Sequence, residues 1–211
     1  MSADDNDSRD QKLYRYDGSK VLRNKLNIRA QAKLNQAERR LVRQRMEEGL
    51  PRGDFDQKHL QAIHRHLFQD VYRWAGQFRQ VNIAKGPHWF LPHDRLTVGM
   101  RDIHKRLKAR KFLKGLDRQA FAREAGQILG DINFLHPFRE GNGRTQLQFL
   151  KLLGERAGHT VDLTRLDGKR WIEASIQANN AEYDLMSRCI HDAITGPAHE
   201  RSGSGIDHGR E

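Results

Sequence analysis

The segment from His136 to Arg144, with the sequence HPFREGNGR, concentrates side chains that could do chemistry in nine residues. A histidine can accept a proton near neutral pH. Gly141 and Gly143 allow close approach of the backbone to a ligand. The helix predicted to follow offers free N–H groups and the positive end of its dipole, and Arg144 adds a guanidinium fork suited to phosphate oxygens. These residues predict a phosphate site with His136 as a general base at its edge.

Glu140 stands beside this predicted anion site, where an unpaired carboxylate would repel a phosphate. A divalent cation between the two groups removes the repulsion, and Mg²⁺ is the ion most often bound by a carboxylate and phosphates together. The alternative interpretation is a capped helix with a surface histidine, because short motifs produce false matches. The density of functional groups favours the Mg²⁺-phosphate site.

Two predicted helices position this segment. Before it, apolar residues at helical spacing predict a buried helix over residues 118–135, which Asp117 can cap. After it, a second helix is predicted to run to Ala157, with Gly158 as its C-terminal glycine. The segment is therefore expected to be a loop between two packed helices.

Other helices are predicted from the same periodicity. One runs over residues 28–48 with Asn27 as its cap, one is capped by Asp56, and one is capped by Asp94 and ends near Lys111. Two late helices are predicted near residues 167–179 and 181–194. The chain is thus expected to be mainly α.

Residues 76–92 lack the helical periodicity of the segments around them. Phe78, Val81 and Ile83 are strand-like, and Lys85-Gly86-Pro87 has the composition of a turn. A second extended segment, Trp89-Phe90-Leu91, follows. We interpret the region as a short β-hairpin whose open edge can pair with an extended peptide. The alternative is an irregular loop packed over the core.

The bulk composition predicts one globular domain in 211 residues. No apolar run is long enough to span a bilayer, and the first residues do not resemble a signal peptide. Cys189, the one cysteine, fits a reducing compartment and a buried position. We predict disordered termini over residues 1–12 and 196–211.

Nucleic-acid binding is the first alternative raised by the formal charge of +11. The basic residues are spread along predicted helices without interleaved aromatic residues, which favours charged outer faces instead. Nucleic acid is therefore not expected as a direct ligand. His59, His64 and His66 lack a third ligand at a metal-like spacing and are expected to be structural or surface residues.

The segment HPFREGNGR resembles the signature of Fic-domain proteins, HxFx(D/E)GNGR, at every position. The resemblance extends from about Tyr14 to about Ile194 and includes the segment VYRWAG at residues 71–76. It implies a Fic fold over residues 13–195, a helical bundle around a central helix-loop-helix. It also implies that the hairpin is a flap that docks the target, with Ile83, Lys85, Gly86, Trp89 and Phe90 as its contact residues.

The resemblance also implies an activity, namely transfer of AMP from ATP to a Ser, Thr or Tyr hydroxyl of a protein with release of pyrophosphate. His136 would then deprotonate the target hydroxyl, and Glu140 would hold Mg²⁺. The phosphates would be bound by Gly141, Asn142, Gly143 and Arg144, while Phe138 would anchor the loop in the core. Asn179, Asn180 and Tyr183 are weak candidates for the adenine pocket.

One position departs from the family pattern. The longer signature continues as GNGRxxR, but this chain has Leu147 where the second arginine is expected. The resemblance implies that this arginine binds the distal phosphate, which leucine cannot do. The loss of such a charged hydrogen bond is worth about 1.5–3 kcal/mol. The alternatives are therefore a phosphotransferase or other Fic/Doc-type transfer of a nucleotide-derived group, and a nucleotide-binding module with weakened catalysis.

The inhibitory pattern of the family, (S/T)xxxE(G/N), is absent from this chain. The resemblance to stand-alone bacterial Fic toxins therefore implies a separate small antitoxin that supplies the inhibitory glutamate. It further implies a toxin or effector that acts in the bacterial cytoplasm or after delivery into a host cell.

Overall fold

The computed structural model describes residues 3–197. Helices dominate this part of the chain, which confirms the mainly α prediction. The helices are α1 (Ala3–Tyr14), α2 (Gln31–Glu47), α3 (Gln57–Phe68), α4 (Leu96–Ala109), α5 (Arg118–Leu135), α6 (Asn142–Ala157), α7 (Gly168–Ala178) and α8 (Asp184–Ala193). The short strands are β1 (Ala84–Lys85), β2 (His88–Trp89), β3 (His159–Val161) and β4 (Ile194–Pro197).

Helix α5 lies at the centre of the bundle and has the predicted bounds. Its N-terminus is capped by Asp117, whose carboxylate accepts from Ala120 N at 2.8 Å. The apolar face packs against α4, α6, α7 and α8, and Phe121, Ala125 and Leu129 are fully buried. A buried helix on this scale fixes the position of whatever follows its C-terminus, which here is the HPFREGNGR loop.

Helices α3 and α6 pack against each other on one side of α5. Asp56 caps α3 by accepting from His59 N at 2.8 Å, as predicted. Helix α6 ends at Gly158, whose φ of 96° suits a glycine in the C-terminal cap. Two of the other predicted caps are wrong. Helix α2 begins after Ala30, because Asn27 adopts a left-handed turn, and Asp94 lies in a 3-10 turn ahead of α4.

The prediction of a disordered N-terminus is also wrong, because residues from Ala3 onward form α1. Asp10 in this helix is only 7% exposed and forms an ion pair with Arg139, at 2.5 Å from its Nε. Tyr14 is buried and packs edge-on against Trp74. These contacts join residues far apart in sequence, and a terminus tied down in this way is ordered despite its polar composition.

A second two-stranded sheet packs against α6 and α8. Strands β3 and β4 pair antiparallel, with Thr160 opposite Gly196. The sequence did not predict this sheet, and residues 196 and 197 belong to it rather than to a disordered tail. The remainder of the predicted tail, residues 198–211, lies outside the described residues.

The predicted hairpin is confirmed, but its strands are short, and of the residues predicted to be extended only Trp89 lies in a strand. Ala84 pairs with Trp89 and Lys85 with His88, and Gly86 occupies the turn with a φ of 59°. Phe90 N donates to Ile83 O at 3.2 Å, which extends the pairing by one residue. We call residues 83–90 the flap.

The predicted burial of Cys189 and the structural role predicted for His59 and His64 are confirmed as well. Cys189 is buried, and so are His59 and His64, both of which are hydrogen-bonded. Within residues 3–197 no cluster of histidine, cysteine and acidic residues has the geometry of a metal site. The same residues contain no helix long and apolar enough to cross a membrane.

Candidate active site

His136 ends α5 in the left-handed conformation, with a φ of 44°. Its ring lies against the flap, stacked on Phe90 at 3.9 Å between ring centroids. The Nδ1 atom lies 3.3 Å from Asn133 O, a contact that assigns the ring proton to Nδ1. The Nε2 atom consequently carries the lone pair, as a general base requires.

The surroundings of His136 favour its neutral form. Burial lowers the pKa of His136 to about 4, and the positive charges of Arg79 and Lys85 act in the same direction. The hydrogen bond to Asn133 O has the opposite, smaller effect. At neutral pH the imidazole is therefore unprotonated and ready to accept a proton.

Aromatic stacking holds the loop after His136 against the core. Phe138 is 1% exposed and stacks on the ring of His64 at 3.8 Å. His64 Nδ1 accepts from Gly76 N at 2.8 Å, and its Nε2 donates to Glu140 O at 3.0 Å. His64 therefore connects the approach to the flap with the motif loop, and Phe138 anchors that loop in the core as predicted.

Gly141 and Asn142 shape the turn into α6. A Cβ atom on Gly141 would lie 2.4 Å from the Phe68 ring, and its φ of 84° also favours glycine. The side chain of Asn142 accepts from Phe138 N at 2.9 Å and donates to Phe138 O at 2.8 Å. The Asn142 amide thus closes the loop, which leaves its backbone N–H, in the first turn of α6, as the group suited to an anion.

A cavity of about 420 Å³, which we call the flap cavity, lies between the flap, α7 and the N-terminus of α6. Its walls include Phe90 and Asn133, which contact the ring of His136. The Nε2 atom of Gln146, a residue 2% exposed, has no hydrogen-bond partner among the described residues. The remaining wall is formed by Lys85, Gly86, Pro87, His88, Gly143, Trp171, Ile172, Ser175, Ile176 and Asn179.

A second cavity, of about 510 Å³, lies on the other side of the α6 N-terminus, and we call it the polar cavity. Glu140 and Arg144 both line it. Arg144 Nη2 lies 2.6 Å from Glu38 Oε1 and 3.4 Å from Glu140 Oε1, and the guanidinium lies over the Phe68 ring. The Arg144 charge is thus shared between two carboxylates.

The predicted site residues therefore divide between two neighbouring cavities. Gly143 lines the flap cavity, and His136 contacts two residues of its wall, whereas Glu140 and Arg144 face the polar cavity. The α6 N-terminus lies between the two groups, since Glu140 precedes the helix, and Gly143 and Arg144 lie on different sides of its first turn. Leu147 is half-buried and packs against the hydrophobic core.

The flap residues differ in exposure. Trp89 is 61% exposed, and Lys85 and Gly86 are exposed beside the cavity. Ile83 is half-buried against the core, and Phe90 is buried on His136. The flap therefore presents its tip to solvent and fixes its base to the histidine.

Sequence reasoning missed several residues of the site. Trp171 and Ile172 line the flap cavity, although the sequence indicates only that they belong to a late helix. Of the adenine-pocket candidates, Asn179 lines the flap cavity, whereas Tyr183 donates to Asp131 Oδ1 at 2.6 Å. Asn180 is not among the residues that line the flap cavity. A motif in the sequence would not have identified these contacts, which depend on how α7 packs.

A second group of missed contacts supports the loop and the flap. Asn6 in α1 donates to Asn82 O at 2.9 Å and accepts from Asn82 N at 2.7 Å. Glu38 in α2 contacts Arg144. Buried Arg79 donates to the main chain of His136 at 2.9 Å. The sequence offers one signal for such contacts, namely a charged residue on an otherwise apolar face of a helix or strand, as at Glu38.

Comparison with known proteins agrees with this geometry. The model of the Fic/DOC family matches residues 54–153. The chain is 43% identical over 180 residues to the probable protein adenylyltransferase y4lH of Sinorhizobium fredii, covering 85% of this chain and 94% of the relative. It is 38% identical to the protein adenylyltransferase VbhT of Bartonella schoenbuchensis over 83% of this chain, but spans 37% of that relative.

Solved structures share the fold. The BepC protein of Bartonella tribocorum, with bound AMPPNP, aligns with a TM-score of 0.80 at 28% identity, covering 88% of this chain and 97% of that one. A Fic domain from Bartonella quintana with bound ADP aligns with a TM-score of 0.81 at 29% identity, covering 87% and 94%. The helix-loop-helix, the flap and these relatives together establish that the chain belongs to the Fic/DOC family.

Proposed function

We propose that this protein is an adenylyltransferase that moves AMP from Mg²⁺-ATP to a hydroxyl side chain of a target protein and releases pyrophosphate. The observation that carries the proposal is the neutral His136, with its Nε2 lone pair, beside a cavity at the N-terminus of a helix. Its relatives y4lH and VbhT, named as adenylyltransferases, support the same activity.

His136 is assigned the role of general base. Its Nε2 takes the proton of the target hydroxyl as the oxygen attacks the α-phosphorus, and the bond to pyrophosphate breaks. A lone pair that is free at neutral pH makes this step available without prior deprotonation of the histidine. The stacked Phe90 restricts the ring to one orientation.

The base and the α-phosphate are assigned to the flap cavity, and the distal phosphates extend past the α6 N-terminus towards Arg144 in the polar cavity. The N–H groups of the first turn of α6, including Gly143, suit phosphate oxygens. Lys85 supplies a positive charge from the flap, and the unpartnered amide of Gln146 supplies a further donor. Trp171 and Ile172 offer apolar surface suited to a base. BepC, with bound AMPPNP, supports a nucleotide site in this fold.

Glu140 is the residue that fits Mg²⁺. Its side chain is 47% exposed, and Oε1 accepts from Gly141 N at 2.9 Å, which leaves Oε2 for a cation. Mg²⁺ is commonly held by one or two carboxylates together with phosphates and water, so a single carboxylate at the rim suffices. When bound, the ion would neutralise charge on the phosphates. Arg144, one turn away, is assigned to the β-phosphate.

The target is assigned to the flap. Exposed Trp89 and the open edges of the two short strands can align an extended peptide by main-chain hydrogen bonds, as in other strand-addition complexes. Ile83 and Phe90 hold the base of the flap, and Lys85 and Gly86 form its turn. The target hydroxyl would then be presented towards His136.

A toxin or effector role in the bacterial cytoplasm or a host cell, with a separate antitoxin that supplies an inhibitory glutamate, completes the proposal. It is supported by similarity to BepC, a VirB-translocated effector protein of Bartonella. Co-purification with a small helical protein that lowers the transfer rate would support this part, and full activity in the presence of every neighbouring gene product would oppose it.

The test of the activity is incubation of the purified protein with α-labelled ATP, Mg²⁺ and a bacterial lysate. Label on proteins that disappears with His136→Ala supports the proposal. Because Leu147 replaces an expected arginine, weakened catalysis is the alternative that this test must distinguish. Nucleotide binding without transfer to any protein would identify a binding module instead.

A further inference from the structure

Arg79 is a buried arginine without a charged partner. It is 2% exposed, and no carboxylate forms an ion pair with it among residues 3–197. Burial lowers its pKa to about 10, so the guanidinium remains charged at neutral pH. A buried cation with no carboxylate is costly, and such groups are retained where their contacts serve another purpose.

Every hydrogen bond of this side chain goes to a main-chain carbonyl. On the motif side, Nε donates to His136 O at 2.9 Å and Nη2 to Leu135 O at 3.1 Å. The backbone N of Arg79 adds a third bond, to Pro137 O at 2.8 Å. Three consecutive carbonyl groups around the catalytic histidine thus accept from one residue. His136 has a positive φ, a conformation that persists in a non-glycine residue when its surroundings enforce it.

The same guanidinium also holds both ends of the flap. Nη1 donates to Val81 O at 2.6 Å, just before the flap, and Nη2 donates to Leu91 O, just after it. Leu91 N in turn donates to Phe134 O at 3.0 Å, which ties the flap to α5. Arg79 therefore lies where the flap and the catalytic loop meet.

The charge of Arg79 also acts on His136. The groups that face the imidazole are Phe90 on one ring face, Asn133 O at Nδ1, and the cations Arg79 and Lys85. No carboxylate is among the groups that shift its titration. A cation fixed against the histidine main chain disfavours a second positive charge on the ring.

Building on the proposed function, we propose that Arg79 is a positioning residue of the transfer reaction. It holds the flap and the loop of His136 as one unit, and its fixed charge adds to the effect of burial in favouring the base form of the imidazole. The first role aligns the target hydroxyl with the base, since small errors in placement are costly in rate. The second keeps the base available below neutral pH.

The test is an NMR titration of His136 in the wild type, Arg79→Lys and Arg79→Met, with hydrogen exchange of the flap amides. Arg73→Met is the matched control, because Arg73 lies six residues earlier and is exposed. We expect Arg79→Met to move the pKa of His136 upward, towards the ordinary value of 6.5, because a nearby positive charge is lost. We expect Arg79→Lys and Arg73→Met to leave it low.

The lysine variant separates charge from geometry, because an ammonium group cannot reproduce the fork that reaches four carbonyls. We expect it to speed exchange of Leu91 N–H and to lower the transfer rate by roughly ten- to hundred-fold. An unchanged His136 pKa in Arg79→Met would overturn the electrostatic role. If that variant does not fold, exchange in Arg79→Lys equal to the wild type would overturn the positioning role. Neither the His136 pKa nor the exchange of the flap amides requires transfer activity. Failure of the proposed function can therefore be distinguished from failure of this proposal.

Discussion

Arg144, the last residue of the HPFREGNGR segment, lies 2.6 Å from Glu38 in α2, and Glu38 is only 7% exposed. The second carboxylate oxygen of Glu38 accepts the hydroxyl of Tyr72, which fixes the glutamate in place. The burial and this contact raise the pKa of Tyr72, so the hydroxyl remains a donor. The arginine expected to bind a phosphate is thus already paired with a carboxylate from a distant helix.

This pair predicts that Glu38→Gln strengthens nucleotide binding. The glutamine keeps the shape and a contact to Tyr72 but removes the negative charge that competes with phosphate for Arg144. Because the pair is partly exposed, we expect a gain of about 1 kcal/mol, which is about five-fold in Kd for Mg²⁺-ATP. Isothermal titration calorimetry measures it, with exposed Glu47→Gln in the same helix as the control. Weaker binding by Glu38→Gln would show that Glu38 positions Arg144 for phosphate instead.

Leu147 predicts a weak contact with the distal phosphates. Leu147→Arg restores a cation one helical turn from Arg144, so we expect tighter binding of ATP than of AMP by roughly ten-fold or more, from a charged hydrogen bond of about 1.5–3 kcal/mol. The ratio of the two Kd values is the measurement. Leu147→Met, which keeps the packing against the core, should leave the ratio unchanged. Equal gains for ATP and AMP would place position 147 away from the distal phosphates.

Gln146 predicts a ligand contact in the flap cavity, because its Nε2 is buried without a partner in the described part of the chain. Gln146→Met keeps the volume and removes the unsatisfied donor, so we expect an unchanged or raised melting temperature without ligand. We also expect ATP to bind about ten-fold more weakly. Thermal shift with and without ATP tests both effects. Gln148→Met is the control, because Gln148 is buried in the same helix but contacts Met46. Equal ATP-dependent shifts in the two variants would contradict the assignment.

His64 predicts a pH-dependent loss of stability. Burial lowers its folded pKa to about 3, from an ordinary value of 6.5, so the unfolded chain binds more protons below pH 6.5. The free energy of unfolding should fall with pH from 6.5 downward, by about 1.4 kcal/mol per unit for this group.

His64→Gln tests this contribution by urea unfolding at pH 7.5 and pH 5. The glutamine loses a buried hydrogen bond, so we expect it to be less stable at pH 7.5 by about 1–3 kcal/mol. Glutamine does not titrate, so the difference from the wild type should nearly vanish at pH 5. A difference of equal size at both values would show that His64 is not a source of the pH dependence.

Local signals in the sequence predicted the elements that depend on local chemistry. The bounds of α5, the Asp117 cap and Gly158 follow from periodicity and capping, which act within a few residues. The turn at Gly86 was predictable for the same reason, because few residues adopt a positive φ. The resemblance to Fic proteins adds the expected roles of the flap and of the loop residues.

Contacts between distant residues could not be predicted in this way. Asp10 orders α1 through Arg139, and Glu38 reaches Arg144 from α2, although both carboxylates belong to segments that look solvated in the sequence. The pairing of β3 with β4 joins the segment before α7 to the segment after α8. Each depends on tertiary packing, which no local pattern encodes.

In the proposed reaction, His136 catalyses transfer at the α-phosphorus of ATP. The most direct test compares α-labelled and γ-labelled ATP, in parallel reactions of the wild type and His136→Ala with the same lysate. We expect label on protein from the α-position alone, its loss in His136→Ala, and nucleotide binding that the variant retains. Label on protein from the γ-position, or α-label that persists in His136→Ala, would contradict it.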